Sequence, residues 1–139
     1  MADTNSLRVR LVTPDRILVD HTVDAVEVPS KSGYIEVLYG HAPLLAVLAP
    51  GEVRLHGGRN EAGDRFSVAR GFVEVLPERV TILAEFAQKP EEIDTGAAQH
   101  ELERGHKLWT EAGDDPQKYE HANEVIREAE SKLASAKGQ

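Results

Sequence analysis

The chain has 139 residues, a formal net charge of −8 and no cysteine. Its acidity repels phosphate backbones, which makes nucleic acid a poor partner on charge grounds. The missing cysteines exclude disulfides, thiolate catalysis and cysteine-ligated metals. The longest apolar run, residues 42–50, falls far short of the roughly 20 residues that a membrane-spanning helix needs. We therefore expect no direct insertion into a membrane.

Residues 1–87 alternate apolar and polar side chains in short runs. The runs are LRVRLV, DAVEVP, EVRLH, RFSVAR and RVTILAE. Alternation with a period of two is typical of half-buried strands, and turn residues recur between these runs about every 8–12 residues. This rhythm is that of a small antiparallel sandwich or barrel. It predicts a β domain over residues 1–87 that folds without the rest of the chain.

Residues 88–139 change to a helical pattern after Pro90. Small and apolar residues recur at helical spacing in two segments, the second with a heptad-like rhythm. These residues are Ala98, Leu102, Gly105 and Trp109, then Tyr119, Ala122, Ile126, Ala129, Leu133 and Ala136. The pattern predicts a first helix over residues 91–110, a second from residue 116, and their pairing as an antiparallel two-helix hairpin.

The stretch EAGDDP separates the two predicted helices. We expect Gly113 to end the first helix, Asp115 to cap the second, and Pro116 to occupy its first position. Gly96 and Gly105 lie inside the first helix, and each is expected to weaken it by roughly 1 kcal/mol relative to alanine.

The sequence shows no recognisable reaction centre. It has no nucleophile elbow and no HExxH motif, and none of its six histidines is paired at i, i+4 as zinc ligands on a helix would be. The glycine-rich stretch HGGRNEAGD lacks the lysine of a phosphate-binding loop, so we interpret it as a hairpin loop. We therefore predict no catalytic residue and no metal site, which favours an interaction or regulatory protein.

Several motifs follow one another in a family-like order. These are VTPDRILVD, VEVPSKSG, GHAPLL, APGEVRL, VARGFVEV, VTILAE and EEID, followed by the helical hairpin. Together they resemble the epsilon subunit of the F-type ATP synthase over nearly the whole chain. GHAPLL and GFVEV are the most specific pieces. The resemblance implies a β-sandwich followed by a hairpin, in a non-catalytic subunit of the central stalk that couples c-ring rotation to ATP synthesis.

The resemblance also implies the partners of the chain. These would be the gamma subunit, the c-subunit ring and, through the hairpin, transiently the alpha and beta subunits. The complex would lie on the cytoplasmic face of the inner (plasma) membrane. The candidate interface residues are Lys31, Ser32, Gly33 and Tyr34, expected to face the c ring, and Gly40, His41, Ala42 and Pro43. For His41 two interpretations stay open, a hydrogen-bonded turn residue and a contact with a partner.

Nucleotide binding is a further property of some family members, through an I/L-D-x-x-R-A motif. Ile93 and Asp94 match this motif, but Ala97 stands where it has arginine, and Arg127 is the remaining candidate on the second helix. Arginine offers phosphate a planar fork of donors that alanine lacks. We predict no bound cofactor and expect ATP to bind in the millimolar range or more weakly.

The chain departs from the family elsewhere. Glu36, Tyr39 and Arg70 replace a glycine, a proline and a glycine of the family pattern. The resemblance implies that in inhibitory family members basic hairpin residues meet an acidic helical segment of the catalytic subunits. The hairpin segment of this chain has seven Lys and Arg against twelve Asp and Glu, a net charge of −5, so we expect it to inhibit ATP hydrolysis only weakly. Two alternatives remain: a free-standing small-molecule or nucleotide sensor module, and a small enzyme on a β scaffold.

Overall fold

The computed structural model describes residues 6–58 and 64–137, so the centre of the glycine-rich loop, residues 59–63, lies outside the described residues. The strands are β1 (Leu7–Val12), β2 (Ile17–Val23), β3 (Ala25–Ser30), β4 (Gly33–Leu38), β5 (Leu44–Leu48), β6 (Gly51–His56), β7 (Asp64–Leu76) and β8 (Arg79–Gln88). A 3₁₀ turn (Pro90–Glu92) precedes the helices α1 (Thr95–Glu111) and α2 (Pro116–Ala136). A β-sandwich followed by an antiparallel helical hairpin is therefore confirmed as the fold.

The chain divides into two compact units, residues 1–88 and residues 89–139. In the first, the strands follow the order β2-β1-β8-β7-β5-β3-β4, and β6 pairs with β3 and β7. Every pairing is antiparallel except that of β1 with β8, which is parallel. β2 and β4 end this order, so among the described strands each has a neighbour on one side only.

The alternating residues of the predicted strands fill the core of the sandwich. Those predicted to point inward are all buried: Leu7, Val9, Leu11, Val26, Val28, Val53, Leu55, Phe66, Val68, Val80, Ile82 and Ala84. Val19, Val23, Val37, Leu48, Val73, Val75 and Ala87 belong to the same cluster. Each buried aliphatic side chain stabilises the fold by about 1.5–3 kcal/mol relative to exposure, so the sandwich has a continuous core of its own.

β7 changes its partner at its centre. Its first half, up to Val68, pairs with β6, whereas its second half, from Gly71, pairs with β5. Arg70 lies between the halves with a φ of 61°, the left-handed region that costs a side-chain-bearing residue energy. The adjacent Gly71 has no room for a side chain, since a Cβ there would lie 1.8 Å from the carbonyl oxygen of Leu83. We call Arg70 and Gly71 the corner of β7. Because the chain continues as a strand through this corner, the stretches RFSVAR and GFVEV form one strand, which pairs first with β6 and then with β5.

The two helices begin at capping aspartates. Asp94 Oδ1 accepts a hydrogen bond from Ala97 N at 3.0 Å, and Asp115 Oδ1 accepts one from Gln117 N at 3.0 Å. Asp115 was the predicted cap, but the predicted start of the first helix at residue 91 is wrong. Residues 90–92 form the 3₁₀ turn instead, because the Glu92 carboxylate accepts from Lys89 N and a new cap follows at Asp94.

The seam between α1 and α2 is built from small residues. Ala98, Gly105, Ala122 and Ala129 are buried, and the rings of Trp109 and Tyr119 meet edge to face at 5.3 Å. At the end of α2 the buried residue is Ser135, whereas the predicted Ala136 is only half-buried.

Gly105 is more than the weak point that its helix propensity predicts. A Cβ at Gly105 would lie 2.6 Å from Ile126 Cγ1 and 3.1 Å from Ile126 N. The helix backbones therefore approach each other closely at this glycine. Gly96 has more space for a side chain than Gly105, because a Cβ at Gly96 would meet only Asp94 Oδ1, at 3.4 Å.

We expect Gly105→Ala to destabilise the hairpin by about 1–3 kcal/mol, because overpacking against α2 outweighs the gain in helix propensity. Gly96→Ala is the matched control, and it should stabilise the hairpin by up to about 1 kcal/mol. Denaturant unfolding of the full chain, followed by helical circular dichroism, measures both. Equal stabilisation by the two substitutions would show that the helices do not pack closely at Gly105.

A second pair of substitutions tests the corner of β7. Arg70→Gly should stabilise the sandwich by about 1 kcal/mol, since glycine adopts a φ of 61° without steric cost. Gly71→Ala should destabilise it by about 3 kcal/mol or more, because the methyl group meets the β8 backbone. Thermal unfolding of the full chain gives both values. Loss of stability in Arg70→Gly would refute a strained Arg70.

Candidate partner-binding site

The loop between β3 and β4 presents a fixed tip. Ser30 Oγ donates to the Gly33 carbonyl oxygen at 2.6 Å and accepts from Ser32 N at 3.2 Å, while Lys31 N donates to the Val47 carbonyl oxygen at 3.0 Å. Gly33 has a φ of 117°, which closes the turn. Lys31 and Ser32 are exposed. The predicted loop is therefore accessible, and its backbone is held from both sides.

Tyr34 anchors the same loop to β6. Its hydroxyl oxygen accepts a hydrogen bond from Glu52 N at 2.9 Å, and the guanidinium carbon of Arg54 lies 5.5 Å from its ring centroid. Tyr34 nevertheless keeps 53% of its surface exposed. An aromatic side chain that is oriented but accessible is typical of protein interfaces.

A network of charged side chains surrounds Arg54, the residue that lies against the Tyr34 ring. The buried Glu52 carboxylate accepts from Arg54 Nε at 3.2 Å and from Arg65 Nη1 at 2.9 Å. Glu27 contacts Arg54 at 3.6 Å and His56 Nε2 through its other oxygen. Burial acts to lower the pKa of Arg54, but the hydrogen bond to Glu52 and the nearby negative charges outweigh burial and raise it. Arg54 therefore stays cationic beside Tyr34.

The GHAP stretch forms a hydrogen-bonded turn after β4. Gly40 has a φ of 90° and donates its N–H to the Pro77 carbonyl oxygen at 2.6 Å. His41 N donates to the Leu38 carbonyl oxygen at 3.1 Å, and His41 Nδ1 lies 2.7 Å from the Ala42 carbonyl oxygen, to which it donates. The half-buried His41 is thus satisfied inside the turn, which supports the first of its two interpretations.

The two predicted interface stretches lie at opposite ends of β4. Residues 31–34 include the first two residues of β4, and residues 40–43 follow the strand. At about 3.4 Å per residue, the rest of β4, residues 35–38, separates them by roughly 14 Å. The structure therefore arranges the predicted residues along one strand and does not gather them into one cluster.

A third surface escaped the sequence analysis. Four large apolar residues that point outward are half-exposed: Ile17 at 54%, Val47 at 45%, Phe72 at 55% and Leu83 at 52%. Cross-strand pairing aligns them with Val12 in the order Val47, Phe72, Leu83, Val12 and Ile17. We call these five residues the apolar row. With strands about 4.8 Å apart, it extends roughly 19 Å across five strands.

Polar residues border the apolar row on both sides. On one side the next cross-strand row holds Glu74, Thr81 and Arg10, with exposed Leu45 at its β5 end and Arg10 3.7 Å from Asp20. On the other side Arg70 lies 3.9 Å from Glu85. An apolar centre with a polar rim is the usual anatomy of a protein–protein interface. The sequence analysis missed the apolar row because its members come from five separate strands, and only the register between the strands places them side by side.

The three nucleotide candidates have different roles in the structure. Ile93 is buried, Asp94 caps α1, and Arg127 is exposed on α2 without an ion pair or hydrogen bond to any other described residue. No described contact joins Arg127 to the other two. Among the described residues, no three His, Asp or Glu side chains are grouped so that they could hold a metal ion. No described helix is long and apolar enough to span a membrane.

Comparison with known proteins agrees with the fold. The family model for the ATP synthase Delta/Epsilon chain, beta-sandwich domain, matches residues 6–90. The chain is 41% identical over 138 residues to the ATP synthase epsilon chain of Solibacter usitatus, covering 98% of both chains. It is 42% identical over 113 residues to that of Koribacter versatilis, covering 81% of this chain and 77% of the relative.

Solved structures show the same architecture. A chain in the cryo-EM structure of the OSCP/F1/c-ring of Euglena gracilis mitochondrial ATP synthase matches with a TM-score of 0.78 and 21% identity, covering 96% of this chain and 83% of that one. A second, from the central stalk and c-ring of Tetrahymena thermophila mitochondrial ATP synthase, matches with a TM-score of 0.62 and 17% identity, covering 99% and 98%. At these identities the likeness bears on the fold.

The sandwich followed by a helical hairpin is the architecture that this chain shares with these ATP synthase chains. The chain belongs to the ATP synthase delta/epsilon family, as an epsilon subunit of the F-type ATP synthase central stalk. The family resemblance read from the sequence motifs is thereby confirmed.

The charged network under Tyr34 gives a stability prediction. Glu52→Gln should destabilise the sandwich by about 1–2 kcal/mol, because Arg54 and Arg65 lose a buried partner charge. Glu74→Gln is the matched control on an exposed carboxylate, and it should change stability by less than about 0.5 kcal/mol. Urea unfolding of the full chain measures both. Equal effects would mean that the network does not stabilise the fold.

Proposed function

We propose that the chain acts as a non-catalytic coupling subunit, which binds the gamma subunit and the c-subunit ring on the cytoplasmic face of the inner (plasma) membrane. Family membership supports the assembly, and the apolar row is the observation that carries the partner assignment. A rotor subunit must transmit torque between two neighbours. It therefore needs two separate contact surfaces on a rigid body.

The gamma subunit is assigned to the apolar row. Phe72 at its centre is a large aromatic side chain, and aromatic residues contribute much of the binding free energy of protein interfaces. The row is one residue wide, so it supplies the apolar centre of a contact of about 800 Å² per partner. The ion pairs Arg10–Asp20 and Arg70–Glu85 lie beside it and supply the polar rim.

The c ring is assigned to the loop of Lys31, Ser32, Gly33 and Tyr34. The loop tip is exposed, which makes it accessible to a second partner. Its hydrogen bonds to Ser30 and Val47, and the anchoring of Tyr34 on Glu52 and Arg54, restrict its movement relative to the sandwich. A contact that transmits rotation requires this stiffness, since a flexible loop would bend before it moved its partner.

The hairpin is assigned a regulatory role through transient contact with the alpha and beta subunits. Its seam of small residues buries little apolar surface, so the helices separate at low cost. Its net charge of −5 is unfavourable for binding to an acidic surface of the catalytic subunits, so the hairpin inhibits ATP hydrolysis only weakly. The nucleotide-sensor alternative has less support, because Asp94 already caps α1 and alanine stands at position 97.

Phe72→Glu tests the proposed function. A carboxylate at the centre of the apolar row should weaken binding to epsilon-depleted ATP synthase at least about tenfold, because the interface would desolvate an unpaired charge. Proton pumping driven by ATP should fall with it, while ATP hydrolysis by the depleted complex persists. Binding is measured by surface plasmon resonance and pumping by a pH-sensitive dye in membrane vesicles.

Thr81→Glu is the matched control, one row away on β8 and within the polar rim. It should change affinity by less than about fivefold, as substitutions at the rim of an interface usually do. Wild-type affinity in Phe72→Glu, with loss of affinity in Thr81→Glu, would place the gamma contact outside the apolar row. No binding by the wild-type chain would refute the proposed function itself.

A further inference from the structure

We infer that the open edge of β4 binds an extended segment of a neighbouring subunit as an added strand, with a basic residue of that segment opposite Glu36. This inference rests on the proposed function, because the segment belongs to a subunit of the same complex. It adds a mode of recognition, backbone pairing at a sheet edge, to the two side-chain surfaces described above.

The orientation of the β4 backbone follows from its neighbours. Pro29 and Lys31 direct their backbone groups toward β5, since Ala49 N donates to the Pro29 carbonyl oxygen and Lys31 N to the Val47 carbonyl oxygen. Successive residues of an antiparallel strand alternate in the side to which their backbone groups point. The intervening Ser30 therefore faces β4 and pairs there with Gly33.

The same alternation fixes which groups of β4 are open. Gly33, Ile35 and Val37 direct their backbone groups toward β3, so those of Tyr34, Glu36 and Leu38 point toward the open edge. The Leu38 carbonyl accepts from His41 N. The N–H groups of all three residues and the carbonyls of Tyr34 and Glu36 point away from β3, and no described strand lies on that side to pair with them. They form a ladder of about 14 Å, long enough to pair a short strand.

The β4 edge has few of the features that usually prevent pairing with another chain. Natural sheets protect their edges with charged side chains, especially lysine, and with proline, bulges or short strands. β4 has six residues in unbroken register with β3, and Glu36 is its only charged residue. The opposite edge, at β2, differs: its pairing with β1 is interrupted between Leu11 and Val12, and Asp20 forms ion pairs there. Of the two end strands, β4 therefore has the less protected edge.

Glu36 specifies the charge of the added strand. Its neighbour across the strand pair is Glu27, whose carboxylate already contacts Arg54 and His56. Glu36 itself forms no ion pair with a described residue. A lysine or arginine beside Glu36 on the added strand would relieve the repulsion between the two carboxylates. Exposed Tyr34 and Leu38 on either side favour apolar residues at the flanking positions.

The same charge disfavours a second copy of this chain as the occupant. Two copies of β4 that pair antiparallel about their centre would bring Glu36 opposite Glu36, and like charges directly opposite destabilise a strand pair. The edge also connects the two predicted interface stretches, residues 31–34 and residues 40–43. A strand added along β4 would therefore contact both stretches at once.

Hydrogen exchange in the complex tests the inference directly. The full chain is bound to epsilon-depleted ATP synthase, exposed to heavy water, released under quench conditions and analysed at single residues. In the free chain we expect fast exchange at Tyr34, Glu36 and Leu38 and slow exchange at Ile35 and Val37. In the complex the first three amides should slow at least about tenfold. Stable binding without this change would overturn the inference and leave the proposed function intact.

Substitutions at Glu36 supply the second test. Glu36→Pro removes the outward N–H without removing a bond to β3, and an edge strand tolerates proline at such a position. It should weaken binding at least about tenfold, because both the hydrogen bond and the close approach of a strand are lost. Glu36→Ala is the matched control and should weaken binding less than about fivefold, whereas Glu36→Lys should weaken it more than alanine does.

Each outcome of the binding series bears on the inference. Equal affinity of the proline and alanine variants, with melting temperatures like that of the wild type, would overturn it. Equal affinity of the lysine and alanine variants would contradict the claim that a basic residue of the added strand lies opposite Glu36. If Glu36→Pro fails to fold, the inference is tested by the amide hydrogen exchange of the wild-type chain in the complex. No binding by the wild-type chain would refute the proposed function, and the inference with it. Dimerisation of the chain alone through β4, seen by analytical ultracentrifugation, would replace the partner subunit with a second copy.

Discussion

The corner in β7 is the constraint on which the sandwich depends. This strand pairs with β6 in its first half, with β5 in its second half and with β8 along most of its length. The change of partner requires a left-handed residue at Arg70 and a bare backbone at Gly71, where the carbonyl of Leu83 lies against the Cα position. Phe72 follows directly. The same corner that closes the core therefore sets the centre of the apolar row on the outer face.

The sequence was sufficient for features that depend on local patterns. Alternation predicted the buried residues of the strands, since a strand with one face in the core must place apolar residues at every second position. Asp115 was predictable as a cap because its oxygen lies within reach of the next N–H groups. The resemblance of GHAPLL and GFVEV to family motifs identified the family, which composition alone could not do.

Features that depend on register could not be read from the sequence. The apolar row joins residues from position 12 to position 83, and nothing local marks Val47 or Leu83 as members. The open edge of β4 depends on the order of strands in the sheet. Gly105 was correctly predicted in the helix seam, but helix propensity, which describes a single helix, could not show how closely Ile126 of the second helix approaches it. The start of α1 was misplaced because two capping arrangements follow each other within six residues.

The parallel pairing of β1 with β8 has a consequence for the order of folding. β1 is the first strand of the chain and β8 the last of the sandwich, and Val9 lies beside Val80 in the finished sheet. During synthesis, β1 and β2 can form their hairpin early, but the edge of β1 that pairs with β8 stays open until β8 has been made. Closing so long a loop is slow compared with forming local hairpins. The nascent chain therefore carries an unpaired edge on β1 until β8 is made, and this period is when it is most vulnerable to aggregation.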